Sequence, residues 1–170
     1  LQTVKLQEYG NVVTHGKWTY IYYPTLYDFV ASQAIGILDG FGERRVFPIV
    51  LWRNALEFGS MSFRNYPDAT RRILDIYASL LKFHRDDTAA FLNAEIGRVK
   101  YITSGSFNVE NRERAVTLLR NLYDKYRDSE YSGEILIAAN GYIDEDNVEA
   151  RRWLYAGCVS NIDRFQAFPA

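Results

Sequence analysis

The hydrophobic positions of this chain change their period at Pro67. Before it, the dominant pattern is extended. The stretch "VVTHGKWTYIYYP" is β-branched and aromatic and is closed by Pro24, which predicts a strand from about Val12 to Tyr23. Thr25 then reads as a helix N-cap with Asp28 as its capping-box partner. Leu26, Phe29, Val30, Gln33, Ile37 and Leu38 follow near helical spacing, and Gly40 or Gly42 closes the element. "RRVFPIVLW" predicts a second strand, with Pro48 placing it at an edge or a bulge. "FGSMSFRNYP" reads as a connection with room for a short third strand.

From Pro67 the apolar residues recur at the helical period. "PDATRRILDIYASLLKFH" opens on a proline and carries Ile73, Ile76, Tyr77, Leu80, Leu81 and Phe83 largely on one side. "RDDTAAFLNAEIGRVKYI", "RERAVTLLRNLYDKYRD" and "EDNVEARRWLYAGCVSNI" predict three further helices, the last capped at Asp146 or Asn147. The intervening "EILIAANGYI" reads two ways. As a strand it has only two β-branched residues and an Ala-Ala-Asn-Gly run that suits a strand poorly. As a helix it gains Ser129 as N-cap, Glu130 and Glu134 in the first turns, and one face of Tyr131, Ile135, Ala138, Ala139 and Tyr142. The helix is the better reading, even with Gly133 and Gly141 each costing about 1 kcal/mol.

The expected fold is therefore α+β and mainly α. Residues 1–66 form a strand–helix–strand unit, and residues 67–170 form antiparallel helical hairpins that share its core. The alternative is an α/β domain with a parallel sheet, which would use Glu134–Tyr142 as a central strand.

The segment "LYDKYRDSEYSGEILIAANGYIDEDNVEARRWL" resembles the join between two tetratricopeptide-type repeats. In those repeats a helix ends at a Tyr-Pro-Asp-Ser-x-Tyr-Ala turn, and a Gly/Asp/Asn turn later leads into a helix carrying Glu-x-Ala. Tyr126, Asp128, Ser129, Tyr131, Tyr142, Asn147 and Ala150 stand in matching places. Arg127 replaces the usual proline, and Gly133 is out of pattern. The likeness spans about residues 111–160. It implies a right-handed stack of helix pairs whose concave face binds a peptide or a partner protein. At the other end, "KWTYIYYP", a helix and "FPIVLW" resemble the opening of thermolysin-like metallopeptidase domains. The following "RRILDIYASLLKFH" lacks the His-Glu-x-x-His that their zinc chemistry needs, so no peptidase activity is carried over.

Composition narrows the chemistry. The chain has 170 residues, enough for an ordinary core in one domain or two small packed units. A net charge of −1 removes the cationic field that nucleic-acid binding relies on, so no nucleic-acid partner is expected. One cysteine, Cys158, excludes an internal disulfide, and its place among apolar residues late in a helix suggests an inert buried thiol. No apolar stretch approaches the roughly 20 residues of a membrane span. The chain opens "LQTVKLQEYG" with no initiator methionine; a soluble, cytoplasmic setting is favoured, and a processed or exported chain stays open.

Two histidines, His15 and His84, and one cysteine cannot build a Cys/His zinc cage, and "DEDNVEARRWLY" fails the calcium-loop pattern at Val148, Glu149 and Tyr155. "HRDDT", His84–Thr88, sets a histidine beside two carboxylates, but at a junction between helices those residues have ordinary capping roles. There is no Gly-x-Ser-x-Gly, and Gly36, Gly40 and Gly42 fit no phosphate-loop spacing. No catalytic, cofactor-binding or metal-ligating set emerges, so no cofactor and no metal are expected.

The unusual total is aromatic: 13 Tyr, 10 Phe and 3 Trp. Tyrosine joins apolar area to a polar tip and is favoured at interfaces. Trp18, Tyr20 and Tyr22 on the first strand, with Tyr123 and Tyr131 further on, are the candidate partner-binding residues. The expectation is a non-catalytic protein-interaction or assembly subunit bound to a protein partner or larger complex. The alternative is a hydrolase whose site uses scattered carboxylates, Tyr and Arg.

Overall fold

A computed structural model describes residues 1–10, 16, 19–41, 47–105 and 108–165, with the side chains of 163–165 left aside. Eight α-helices occur among them: α1 Thr19–Tyr22, α2 Leu26–Gly40, α3 Ala55–Gly59, α4 Asp68–Phe83, α5 Thr88–Ser104, α6 Val109–Tyr126, α7 Ser132–Asn140 and α8 Val148–Phe165. Two 3-10 turns, Leu6–Tyr9 and Ile49–Trp52, complete the set. The chain divides into two compact units, Leu1–Arg44 with Ala55–Arg98, and Arg45–Asn54 with Val99–Ala170.

No sheet is present among the described residues, which overturns the strand–helix–strand unit and the parallel-sheet alternative alike. The single β-type pairing is an isolated antiparallel bridge between Lys5 and Thr25. Thr19–Tyr22, expected in the first strand, is helical, while Val12–His15, Lys17 and Trp18 lie outside the described residues. Of the second predicted strand, Arg44–Val46 lie outside the described residues, and over 47–52 it fails for a local reason. Pro48 sits at φ −68° and ψ 154° and opens a 3-10 turn in which the amide of Leu51 donates to the Pro48 carbonyl at 3.0 Å. A strand needs a neighbour to pair with, and β-branched or aromatic content cannot supply one.

In the first unit the capping box at α2 forms as its sequence predicts: the Thr25 side chain accepts from the Asp28 amide, and the Asp28 carboxylate accepts from the Thr25 amide. Helix α4 packs against both α2 and α3. Its buried face, Ile73, Leu74, Tyr77, Ala78 and Leu81, repeats at three- and four-residue spacing. Phe58 and Phe63 close this core with ring centroids 5.0 Å apart.

In the second unit α6 packs on α7, and α7 on α8. The ambiguous "EILIAANGYI" is helical from its start through Asn140, with Ile135, Leu136, Ala138 and Ala139 buried. Helix α7 begins at Ser132, three residues beyond the expected Ser129 cap; the Ser129 hydroxyl instead accepts from the Tyr131 amide in the preceding turn. Asn147 does cap α8, accepting from the Ala150 amide at 3.0 Å.

Close approach of α7 and α8 requires a glycine. A Cβ on Gly157 would meet Leu136 Cδ2 at 2.9 Å, Leu136 Cδ1 at 3.1 Å and Tyr123 Cζ at 3.3 Å. Leu136 is 2% exposed and packed on this glycine, so its methyl groups must shift to admit a side chain. Gly157→Ala should therefore lower stability by about 1–3 kcal/mol through overpacking. Gly36→Ala, in an open position of α2 with nothing within 4 Å, should raise it by about 0.5–1 kcal/mol. Thermal unfolding followed by circular dichroism checks both signs.

Candidate functional site

Acid–base chemistry is the first possibility to weigh, and it centres on His84. Its Nε2 lies 2.5 Å from Asp28 Oδ1, a partner far from it in sequence rather than one of the adjacent aspartates. The second oxygen of Asp28, Oδ2, accepts from the Thr25 amide at 2.8 Å and from its hydroxyl at 2.6 Å. Asp87 has the capping role expected of the "HRDDT" stretch, accepting from the Ala90 amide. A His–Asp pair moves protons for a substrate only if a substrate can reach it. The His84 and Asp28 side chains are 5% and 3% exposed, and Phe83 stacks edge-on against the imidazole at 4.5 Å. The pair is a tertiary clamp from α2 to the end of α4.

A second buried charge pair has the same character. Arg98 grips Glu95 through two hydrogen bonds, Nε to Oε2 at 2.7 Å and Nη2 to Oε1 at 2.6 Å, and its guanidinium lies 4.5 Å from the Phe58 ring centroid. Arg98 is fully buried, so this fork neutralises a carboxylate inside the core and offers no exposed group. The tyrosines are no better placed as bases. Burial raises the phenol of Tyr27 above its ordinary value, against a hydrogen bond to Ser79. Burial likewise raises Tyr142, against one to Thr103. Raised phenols stay protonated at neutral pH. Among the described residues no three His, Cys, Asp or Glu side chains gather where they could hold a metal ion, and no helix is long and apolar enough to cross a membrane.

Of the expected row Trp18, Tyr20 and Tyr22, the two described tyrosines do not share a face. Trp18 lies outside the described residues. Tyr20 and Tyr22 are half-buried on α1, where two residues' separation turns them about 200° apart around the helix. Tyr123 is a core residue: its ring meets Trp153 edge-on at 5.8 Å and its hydroxyl donates to the Gly157 carbonyl at 3.4 Å. Tyr131 is half-buried just ahead of α7.

What the second unit does expose is an apolar groove between α7 and α8, with a volume of about 450 Å³. Leu136, Ile137 and Asn140 line it from α7, and Leu154, Tyr155, Cys158, Asn161 and Ile162 from α8. These positions recur at three- and four-residue intervals, so each helix turns one continuous stripe toward the opening. Ile137, Tyr155 and Ile162 are 70%, 62% and 51% exposed, which marks a patch the unit leaves open. Cys158 is half-buried in this wall, more open than its apolar neighbours in sequence suggested. At one end Asn161, 4% exposed, accepts from the Ser132 hydroxyl at 3.2 Å through its carbonyl, while its amide nitrogen has no partner. Among the described residues no carboxylate, imidazole or cation lines the groove, so its chemistry there is that of apolar binding.

Sequence reasoning missed this groove because Ile137, Tyr155 and Ile162 read as ordinary helix-face residues. The available signal was Gly157, a mid-helix glycine that marks where two helices come close. The chain matches no known protein family, no curated protein and no solved structure.

If the Asp28–His84 clamp is structural, His84→Ala should cost about 2–3 kcal/mol of stability, because it leaves a buried carboxylate short of a donor. Chemical denaturation with urea provides the measurement.

Proposed function

We propose that the chain is a non-catalytic protein-interaction subunit that receives an apolar helical segment of a partner protein in the α7–α8 groove. The observation that carries this reading is the pair of facing apolar stripes on the last two helices, open along their length and free of charged groups. A third helix seats its ridge of side chains in such a groove in the way that helices pack within a core. The succession α6, α7, α8 through short connections supports the likeness to tetratricopeptide-type stacking, in which each hairpin covers the one before it. On that likeness the α7–α8 face is the one the next helix of a stack would occupy, and here a partner's helix takes its place. The hydrolase alternative has less support: it asks for convergent accessible carboxylates, and the closest His–Asp pair is sealed in the first unit.

The test uses two substitutions at exposed positions that leave the fold's core untouched, Ile137→Asp and Tyr155→Asp. Affinity capture identifies the partner, and its purified form is then titrated against each variant. Each should weaken binding by at least about 2 kcal/mol, roughly thirtyfold, with unchanged helicity and thermal midpoint. Equal affinity of the unaltered chain and both variants would refute the reading.

A further inference from the structure

The first unit has a pocket of its own, of about 470 Å³, between the segment that follows α3 and the first two turns of α4. Its lining is mostly polar: Ser62 and Arg64 on one side, Arg71, Arg72 and Asp75 on the other. The segment is held in place from below. Phe63 is 1% exposed, with its ring centroid 5.0 Å from that of Phe58 and 6.2 Å from that of Tyr66. The Met61 amide donates to the Phe58 carbonyl, and the Tyr66 amide to the Phe63 carbonyl, each at 3.0 Å. With Phe63 anchored in the core, its neighbours Ser62 and Arg64 are left exposed at the pocket wall.

Three guanidiniums line this one opening, and their pairing is incomplete. Arg71 Nη2 donates to Asp68 Oδ1, and Arg72 Nε donates to Asp68 Oδ2 at 3.0 Å. Asp68 thus steadies both side chains while taking one N–H from each and leaving the others open. Arg64 and Asp75 form no ion pair with a described residue. Set against the carboxylates of Asp68 and Asp75, the three arginines leave one positive charge in excess. Arginine stays protonated and matches the oxygens of a phosphate through its planar fork. A phosphate monoester offers three terminal oxygens, where a carboxylate offers two. Asp75 narrows the class further. A bare phosphate would set like charge near it, whereas a ligand that also carries an amino group gives Asp75 a cation to hold. Such a molecule, nearly dianionic at its phosphate and cationic at its amine, has the net charge that balances the pocket.

We infer that this pocket binds a small phosphate monoester bearing an amino group, with Arg64, Arg71 and Arg72 on the phosphate and Asp75 on the ammonium. The site lies within the first unit and does not depend on the α7–α8 groove.

The full chain is titrated calorimetrically at neutral pH and low salt with O-phosphoethanolamine, inorganic phosphate and ethanolamine. O-phosphoethanolamine should bind about tenfold tighter than inorganic phosphate, and ethanolamine should not bind. Arg64→Ala, at an exposed position without an ion-pair partner, should weaken both phosphates about tenfold at an unchanged thermal midpoint. Asp75→Asn should weaken O-phosphoethanolamine yet tighten inorganic phosphate, a pair of opposite signs that loss of the pocket cannot produce. A capped phosphoserine tripeptide, with amides in place of the ammonium, should bind no tighter than inorganic phosphate. The inference is overturned if millimolar O-phosphoethanolamine does not bind, if Arg64→Ala binds it as the unaltered chain does, or if Asp75→Asn shifts both phosphates in the same direction. Tighter binding of the tripeptide than of O-phosphoethanolamine overturns it too, and assigns the phosphate to a modified protein chain instead.

Discussion

The contact of Gly157 with Leu136 and Tyr123 governs the second unit. At that point α8 comes within van der Waals distance of side chains from both α7 and α6, and a Cβ in place of the hydrogen would push the Leu136 methyls aside. The approach sets where the outward stripes of α7 and α8 face each other. Leu136 belongs to both sides of the matter: it packs on Gly157 and also forms part of the groove wall. The groove's shape thus follows from the packing beneath it, and a change of helix spacing would be felt at Ile137 and Tyr155 without either being touched.

Polar groups in the two units are disposed differently. In the first, deeply buried polar side chains, Asp28 with His84 and Glu95 with Arg98, meet one another at hydrogen-bonding distance. Such pairs fix the fold and present nothing to a ligand. In the second, the Asn161 amide nitrogen and the Trp52 indole N–H are buried and unmatched, and both residues line openings.

How much of this the sequence carried depends on the range of the interaction. Local determinants were legible: the Thr25–Asp28 capping box, a cap at 146 or 147 for α8 and at 86 or 87 for α5, which the structure gives as Asn147 and Asp87, and most of the buried face of α4 all follow from residues within a turn of one another. Non-local ones were not. A strand at Thr19–Tyr22 looked sound from its side chains, yet strand formation depends on a pairing partner that no short stretch reveals. Pro48 was read as a strand edge because it cannot donate; its fixed φ opened a 3-10 turn instead. His84 found Asp28 across the fold, not the aspartates beside it in the chain. The groove was hidden for the same reason, since Tyr155 and Ile137 look alike as core or surface until both helices are placed.

Asp28 meets three donors with two oxygens: the amide and hydroxyl of Thr25, and the imidazole of His84. Asparagine would offer one oxygen and turn an N–H toward a donor, and glutamate would carry its carboxylate a methylene too far. Position 28 is thus held by a helix start and a helix end at once. An exchange of this aspartate is therefore felt at residues 25 and 84 together.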